Sequence, residues 1–196
     1  IHRIISRPYH TKTGAQSLIN YISIIEMPRP VQSEYTSFFS NYISLTKGND
    51  YNELIKNHDE ILCDFWTKIS KEKWEFSYAY GKWTIKQLFQ HVIDTERILA
   101  FRALSIARKE PNPLSSFDEN EYAINGNAES RDPESMVQEY LYLRKSTNYL
   151  FSSFNEKENK LIGKVVDKKI SVNALGFIII GHSLHHINIC EKHYGL

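Results

Sequence analysis

The chain has 196 residues, of which 41% are hydrophobic and 13% aromatic, enough apolar material for one domain with a real core. Its 24 basic and 23 acidic residues leave a formal net charge of +1, so no strong field draws it to nucleic acid or to an anionic membrane surface. Two cysteines, Cys63 and Cys190, are too few for a secreted disulfide scaffold, and no run approaches the ~20 apolar residues of a membrane span, so the expectation is a soluble cytoplasmic protein.

Residues 1–25 carry Arg3, Arg7 and Lys12 but no acid, and "MPRPVQSEY" begins at Met27. The segment makes a poor signal peptide, because "LINYISII" contains Asn20 and Tyr21 and no small-residue cleavage site follows. A basic, acid-free leader is compatible with a transit peptide. The reading adopted is a natural start at Met27, dividing the chain into an N-terminal extension, 1–30, disordered or non-native, and a folded body, 31–196.

The stretch "SEYTSFFSNYISL" (33–45) predicts a short helix across one end of the body. Asp50 and Glu53 form a D-x-x-E start, followed by Leu54, Ile55, Ile61, Leu62, Phe65 and Ile69 at helical spacing, which predicts helix one over 50–69. Thr84 and Gln87 form a capping box for helix two, which runs uninterrupted to about 109, where "EPNP" stops it. A polar connection follows, 110–131, with "NGNAES" as a turn and Leu114, Phe117 and Tyr122 available to pin it to the body. Asp132-Pro133 then starts helix three, an N-cap followed by proline, reaching Phe154. After a charged turn, "KVVDKKISV" has room for a short strand, and Ser171 caps helix four over 172–193, with Gly195 past its end. Four long helices, one long connection and no extended strand pattern predict an all-α four-helix bundle.

Position sorts the eight histidines. His182 and His186 are four residues apart and share one helix face, flanked by Leu175, Ile178, Ile179 and Ile189, so they point inward. Cβ atoms ~5–6 Å apart suit two imidazoles converging on one ion. His91 lies on a stripe with Leu88, Thr95, Ile98 and Arg102, and also faces inward. A lone inward histidine is more often a satisfied core residue. Three of them on two helices match a three-ligand metal site with open positions, whereas the bland reading needs three separately partnered buried imidazoles. His193 is a weaker alternative ligand near the helix end, and His2, His10 and His58 read as solvated.

Around the triad, Asp94 is placed to orient a ligand imidazole, with a surface carboxylate as the equal alternative, and His185 is a packing or supporting residue. Arg102 on the inward stripe needs a carboxylate, from Asp118, Glu119 or a substrate. For Glu96 and Arg97 a supporting role beside the site and a solvated pair are equal alternatives. Trp83, Tyr78 and Tyr80 read as core or rim. No nucleophile elbow, phosphate loop, dinucleotide fingerprint or H-E-x-x-H competes. Ser183 diverges from its neighbour His182, and Cys190 sits among apolar residues.

Taken together, "WTIKQLFQHVIDTERILAFRALSIAR", "FDENEYA", "RKSTNYLFSSF" and "GHSLHHINI" resemble the DinB-like superfamily (the DinB/YfiT metalloenzymes) from about Tyr51 to His193. The resemblance implies an up-down-down-up bundle with a long crossover between helices two and three. It implies a divalent ion, Zn²⁺ or Ni²⁺, on one histidine of the second helix and an H-x-x-x-H pair of the last, here His91, His182 and His186. Characterised members include thiol S-transferases using bacillithiol and a mycothiol-dependent isomerase, and both monomers and dimers occur. The expectation is a metal-dependent enzyme acting on a small-molecule substrate, with thiol transfer using a low-molecular-weight thiol first and metal-assisted hydrolysis second. A non-catalytic metal-stabilised or ligand-binding bundle is the rival, and a homodimer is compatible with either.

Overall fold

The computed structural model describes residues 27–196. The expected leader, 1–26, with His2 and His10, lies outside the described residues. Seven α-helices and one hairpin follow in order among them: α1 (Ser40–Leu45), α2 (Tyr51–Thr67), α3 (Ile85–Ala107), α4 (Glu119–Asn125), α5 (Pro133–Ser152), α6 (Glu156–Asn159), β1 (Ile162–Val165), β2 (Lys168–Ser171) and α7 (Val172–Ile189). The four long ones, α2, α3, α5 and α7, make a helical bundle. No described helix is long and apolar enough to cross a membrane.

The starts are where side-chain chemistry puts them. Asp50 accepts from the Glu53 backbone N–H at 2.8 Å, and Thr84 and Gln87 cap each other reciprocally. Asp132 accepts from Ser135 N–H at 2.8 Å, with Pro133 at the first helical position, and Ser171 accepts from Ala174 N–H at 2.9 Å. The ends are less regular. Beyond Ile189 the last helix widens into a π turn over Cys190–Tyr194 before Gly195, whose φ of 65° closes it in the left-handed region.

Three local features depart from the sequence reading. The connection 110–131 contains α4, capped by Asp118 through the N–H groups of Asn120 and Glu121. The strand expected in "KVVDKKISV" is there as β2, and it has a partner: the end of the charged turn together with Lys164 and Val165 forms β1, antiparallel to β2, Ile162 opposite Ser171 and Val165 opposite Lys168. The hairpin thus adds a small β element to an otherwise all-α fold. Finally, Met27 is fully buried, its carbonyl accepts from Tyr51 N–H at 2.9 Å, and Arg29 donates to the carbonyls of Ile43 (2.6 Å), Thr46 (3.2 Å) and Gly48 (3.1 Å). The boundary expected at residue 30 therefore falls inside packed chain.

Helix α7 packs on α1, α2 and α3, while α5 packs on α2 and α3. A helix enclosed in this way can be apolar all round, and every residue from Val172 to Ser183 is buried. The core divides in two. One cluster takes Tyr51, Leu54, Leu99, Ala103, Phe151 and Val172–Ile180; the other takes Trp66, Ile85, Phe89, Met136, Tyr140 and Cys190. The buried polar side chains of α3, α5 and α7 include His91, Thr95, Glu96 and Arg102, Arg144 and Thr147, and His182, Ser183 and His186.

Candidate metal centre

Helix α3 places His91 against the last helix, and the i, i+4 spacing of His182 and His186 sets both rings on its facing side. His182 Nε2 stands 3.1 Å from His91 Nε2 and 3.1 Å from His186 Nε2. The three potential ligand atoms all lie within 4.8 Å of one another, and all three residues are buried. An Nε2 carries either one proton or one lone pair in the ring plane, so His182 cannot make a good hydrogen bond to both neighbours at once. Two nitrogens bound tetrahedrally to one zinc ion stand ~3.3 Å apart, given Zn–N bonds of ~2.0–2.1 Å, so the spacing fits a shared ion better than a hydrogen-bonded chain. His91 Nδ1 has the Thr95 hydroxyl at 3.5 Å, and His186 Nδ1 is a buried nitrogen with no partner among the described residues.

The rings are held neutral. Burial pushes His91 down to about 4, with the Glu119 charge opposing and His185 adding slightly. Burial, then the neighbouring imidazoles, pushes His182 and His186 well below the usual histidine range. Neutral imidazole is the form that ligates metal. The triad floors a cavity of about 640 Å³. Thr95, Leu99 and Arg102 continue its wall along α3, Ile178 faces them, and Glu119, Phe117, Val166 and Lys168 lie toward the rim.

Of the residues expected to support the triad, only some come to it. His185 is half-buried, lines the cavity and packs edge-on against His186, ring centroids 5.1 Å apart. Asp94 does not reach His91. Its carboxylate accepts from Gln90 Nε2 at 2.9 Å and sits 3.9 Å from Arg97, because one helical turn carries it off the inward stripe. Arg102 is buried in the cavity wall, but it donates to the Ser115 carbonyl at 2.7 Å, not to Asp118 or Glu119. Glu96 and Arg97 are not a solvated pair: Glu96 is 2% exposed and bound to Arg144, while Arg97 pairs with Glu139. His58 is buried rather than solvated, its Nε2 accepting from Lys47 N–H at 2.8 Å. The π turn rotates His193 out of phase with His186, and it stacks on Tyr78 in solvent instead.

Sequence reasoning missed Tyr42. Its ring lies 5.5 Å from those of both His182 and His185, closing one side of the site, because α1 packs on α7 rather than capping an end of the bundle. The signal was Gly181, a glycine inside a strongly apolar helix. A side chain there would collide with the backbone carbonyl of Tyr42. Gly181→Ala therefore has to push α1 outward, at about 1–3 kcal/mol as for other overpacked sites. Thermal denaturation should show a Tm lower by roughly 2–4 °C for each kcal/mol. An unchanged Tm would mean that α1 is not seated on α7.

Comparison with known proteins agrees with this architecture. The DinB superfamily model matches residues 56–190. Among solved structures, YfiT from Bacillus subtilis, described as a probable metal-dependent hydrolase with an unusual four-helix bundle topology, superposes with a TM-score of 0.60 at 16% identity, over 83% of this chain and 91% of that one. The DinB-like protein YjoA from Bacillus subtilis superposes with a TM-score of 0.50 at 13% identity, over 80% of this chain and 88% of that one. No functionally curated protein matches in sequence.

Proposed function

The chain belongs to the DinB superfamily, and from that premise we propose that it is a divalent-metal-dependent enzyme whose ion is held by His91, His182 and His186. The observation that carries the reading is the convergence of three buried, neutral imidazoles through Nε2 at the floor of one cavity. Zn²⁺ suits three such ligands with a position left for substrate, and Ni²⁺ is the second choice. When bound, the ion supplies a Lewis acid that makes a coordinated water or thiol nucleophilic near neutral pH.

Hydrolysis of a small molecule is the version the residues favour. Glu119 lines the cavity, and its charge acts on His91. With Asp167, it is one of two cavity-lining carboxylates available to accept a proton from an attacking water and return it to a leaving group. Thr95 holds the outer face of His91, while Tyr42 and His185 shield the side of the triad from water. Thiol S-transfer at the same floor is the second reading: the cavity is lined by no cysteine of the chain, so the thiol would enter as a low-molecular-weight cosubstrate.

We also propose the up-down-down-up course, with 108–132 as its crossover. Its support is the order in which the helices meet the two core clusters. Helices α3 and α5 begin in the Trp66 cluster and end in the Leu54 cluster, whereas α2 and α7 run the other way. Two free cysteines, Cys63 and Cys190, support a reducing, cytoplasmic setting.

Elemental analysis after expression in zinc- and nickel-replete medium should find about one ion per chain, and His186→Ala should lose it while keeping its helical circular dichroism. Metal far below stoichiometric in the wild type ends the metalloenzyme reading. Unfolding of the variant favours a structural ion. Turnover of ester or amide substrates by the loaded protein, against conjugation of low-molecular-weight thiols to monochlorobimane, separates hydrolysis from thiol transfer.

A further inference from the structure

Arg102 is 7% exposed, lines the same cavity as the triad, and forms no ion pair with any carboxylate among the described residues. Its neighbours are the Ser115 carbonyl at 2.7 Å and the Phe117 ring, 5.8 Å from the guanidinium carbon. One carbonyl and one ring face satisfy part of a five-donor fork and none of its charge. Arg144, the other buried arginine among the described residues, is bound to two carboxylates, so this fold does pair a buried arginine where the role is structural. Burial also pushes Arg102 below the usual arginine range, the sign of a cation without a counterion, although it stays charged.

We propose that Arg102 is the anchor for a carboxylate of the substrate, which makes the substrate a monocarboxylic acid with an apolar middle and a reacting group at the far end. The inference deepens the enzyme reading above and rests on it. Geometry sets the shape. His91 and Arg102 are eleven residues apart on one stripe of α3, ~16 Å of helix rise, and arginine side chains lean back toward the helix N-terminus, so anchor and triad stand on the order of 10 Å apart. Between them the wall is Thr95 and Leu99, faced by Ile178, Phe39 and Val165, which offers an alkyl or aryl spacer dry contact. Charge sets the headgroup. The headgroup matches the single charge of Arg102, which no carboxylate among the described residues pairs, while at the rim Glu119 and Asp167 outnumber Lys168 and so disfavour the double charge of a phosphate.

The test is binding of hexanoate, hexanamide and inorganic phosphate to full-length protein, metal-loaded and metal-free, by calorimetry or ligand-observed NMR. Hexanoate should bind both forms of the wild type, and hexanamide should bind about 10-fold to 100-fold more weakly, as expected on losing a hydrogen-bonded charge. Arg102→Met should weaken hexanoate by the same factor and leave hexanamide unchanged, with Arg102→Lys between. The wild-type comparison of acid with amide keeps the test decisive if Arg102→Met does not fold. Hexanoate no tighter than hexanamide, or unaffected by Arg102→Met, overturns the proposal. Binding that disappears on metal removal also overturns it, since the carboxylate is then on the ion. Phosphate binding tighter than hexanoate overturns the monocarboxylate assignment. Because the anchor is read in metal-free protein, its failure is distinct from failure of the metal centre, which elemental analysis decides.

Discussion

Replacing Arg144 with methionine should destabilise the protein by about 3–5 kcal/mol, the cost of breaking a buried ion pair from one side. Arg144 is 1% exposed and donates four hydrogen bonds: to Glu96 at 2.8 Å, twice to Asp59 at 3.1 and 3.2 Å, and to Asn148 at 2.9 Å. Thr147 adds a hydroxyl donor to Glu96 at 2.7 Å, and Asn148 donates to Asp59 at 3.1 Å. One side chain of α5 therefore ties α2 to α3 midway along the bundle. Burial alone would lower the Arg144 pKa, but the carboxylates of Glu96 and Asp59 hold it well above the usual arginine range.

The damage falls mainly on Glu96. It is 2% exposed, and its second carboxylate oxygen already lacks a hydrogen-bond partner among the described residues. Without Arg144 it must keep a charge in the core, take up a proton, or open the bundle. Urea denaturation at pH 7.5 measures the loss. The double variant Arg144→Met, Glu96→Leu should recover most of it, because removing both charges leaves no desolvated ion. A loss below 1 kcal/mol for the single variant would show that water already reaches the pair.

That network also marks how far the sequence could be read. Helix starts were legible because each is a local event: Asp50, Thr84, Asp132 and Ser171 cap within three residues of themselves. The inward histidines were legible because 3.6-residue periodicity sets the face of a long helix. Glu96 and Arg97 misled for the complementary reason. Adjacent charges of opposite sign look like a surface pair, and nothing local says that Glu96 meets Arg144, 48 residues on. The position of α1 failed in the same way, being fixed by a close approach between Tyr42 and Gly181. His58 failed because its partner is a loop N–H at Lys47. In each case the deciding contact joins elements that the sequence keeps apart. His193 shows a different limit, since a π turn shifts the phase on which periodicity depends.

In metal-free protein the triad should make the fold acid-labile well above the usual carboxylate range. The imidazoles are ordinary in the unfolded chain, with pKa ~6.5, but burial pushes His91 down to about 4 in the fold and pushes His182 and His186 well below the usual histidine range. Each folded value lies below its unfolded one, so the unfolded chain binds more protons in between. Stability is then complete above pH ~6.5 and is lost as pH falls through that value toward 4 and below. For His91 the gap of ~2.5 units is worth about 3 kcal/mol, and the other two add to it until opening relieves the rest. A domain holding ~5–15 kcal/mol in total should therefore be markedly weakened by pH 5. His58, also lowered by burial, acts in the same direction, so the share of the triad is read by difference. With chelator present, urea midpoints for wild type should fall steeply from pH 8 to pH 5, and those of His91→Gln less steeply. Saturating Zn²⁺ should move the wild-type decline to lower pH, because protons must then displace an ion as well as enter a dry site. A metal-free wild type equally stable at pH 8 and pH 5 would mean that the three rings are hydrated and apart, and the centre they form would fall with that result.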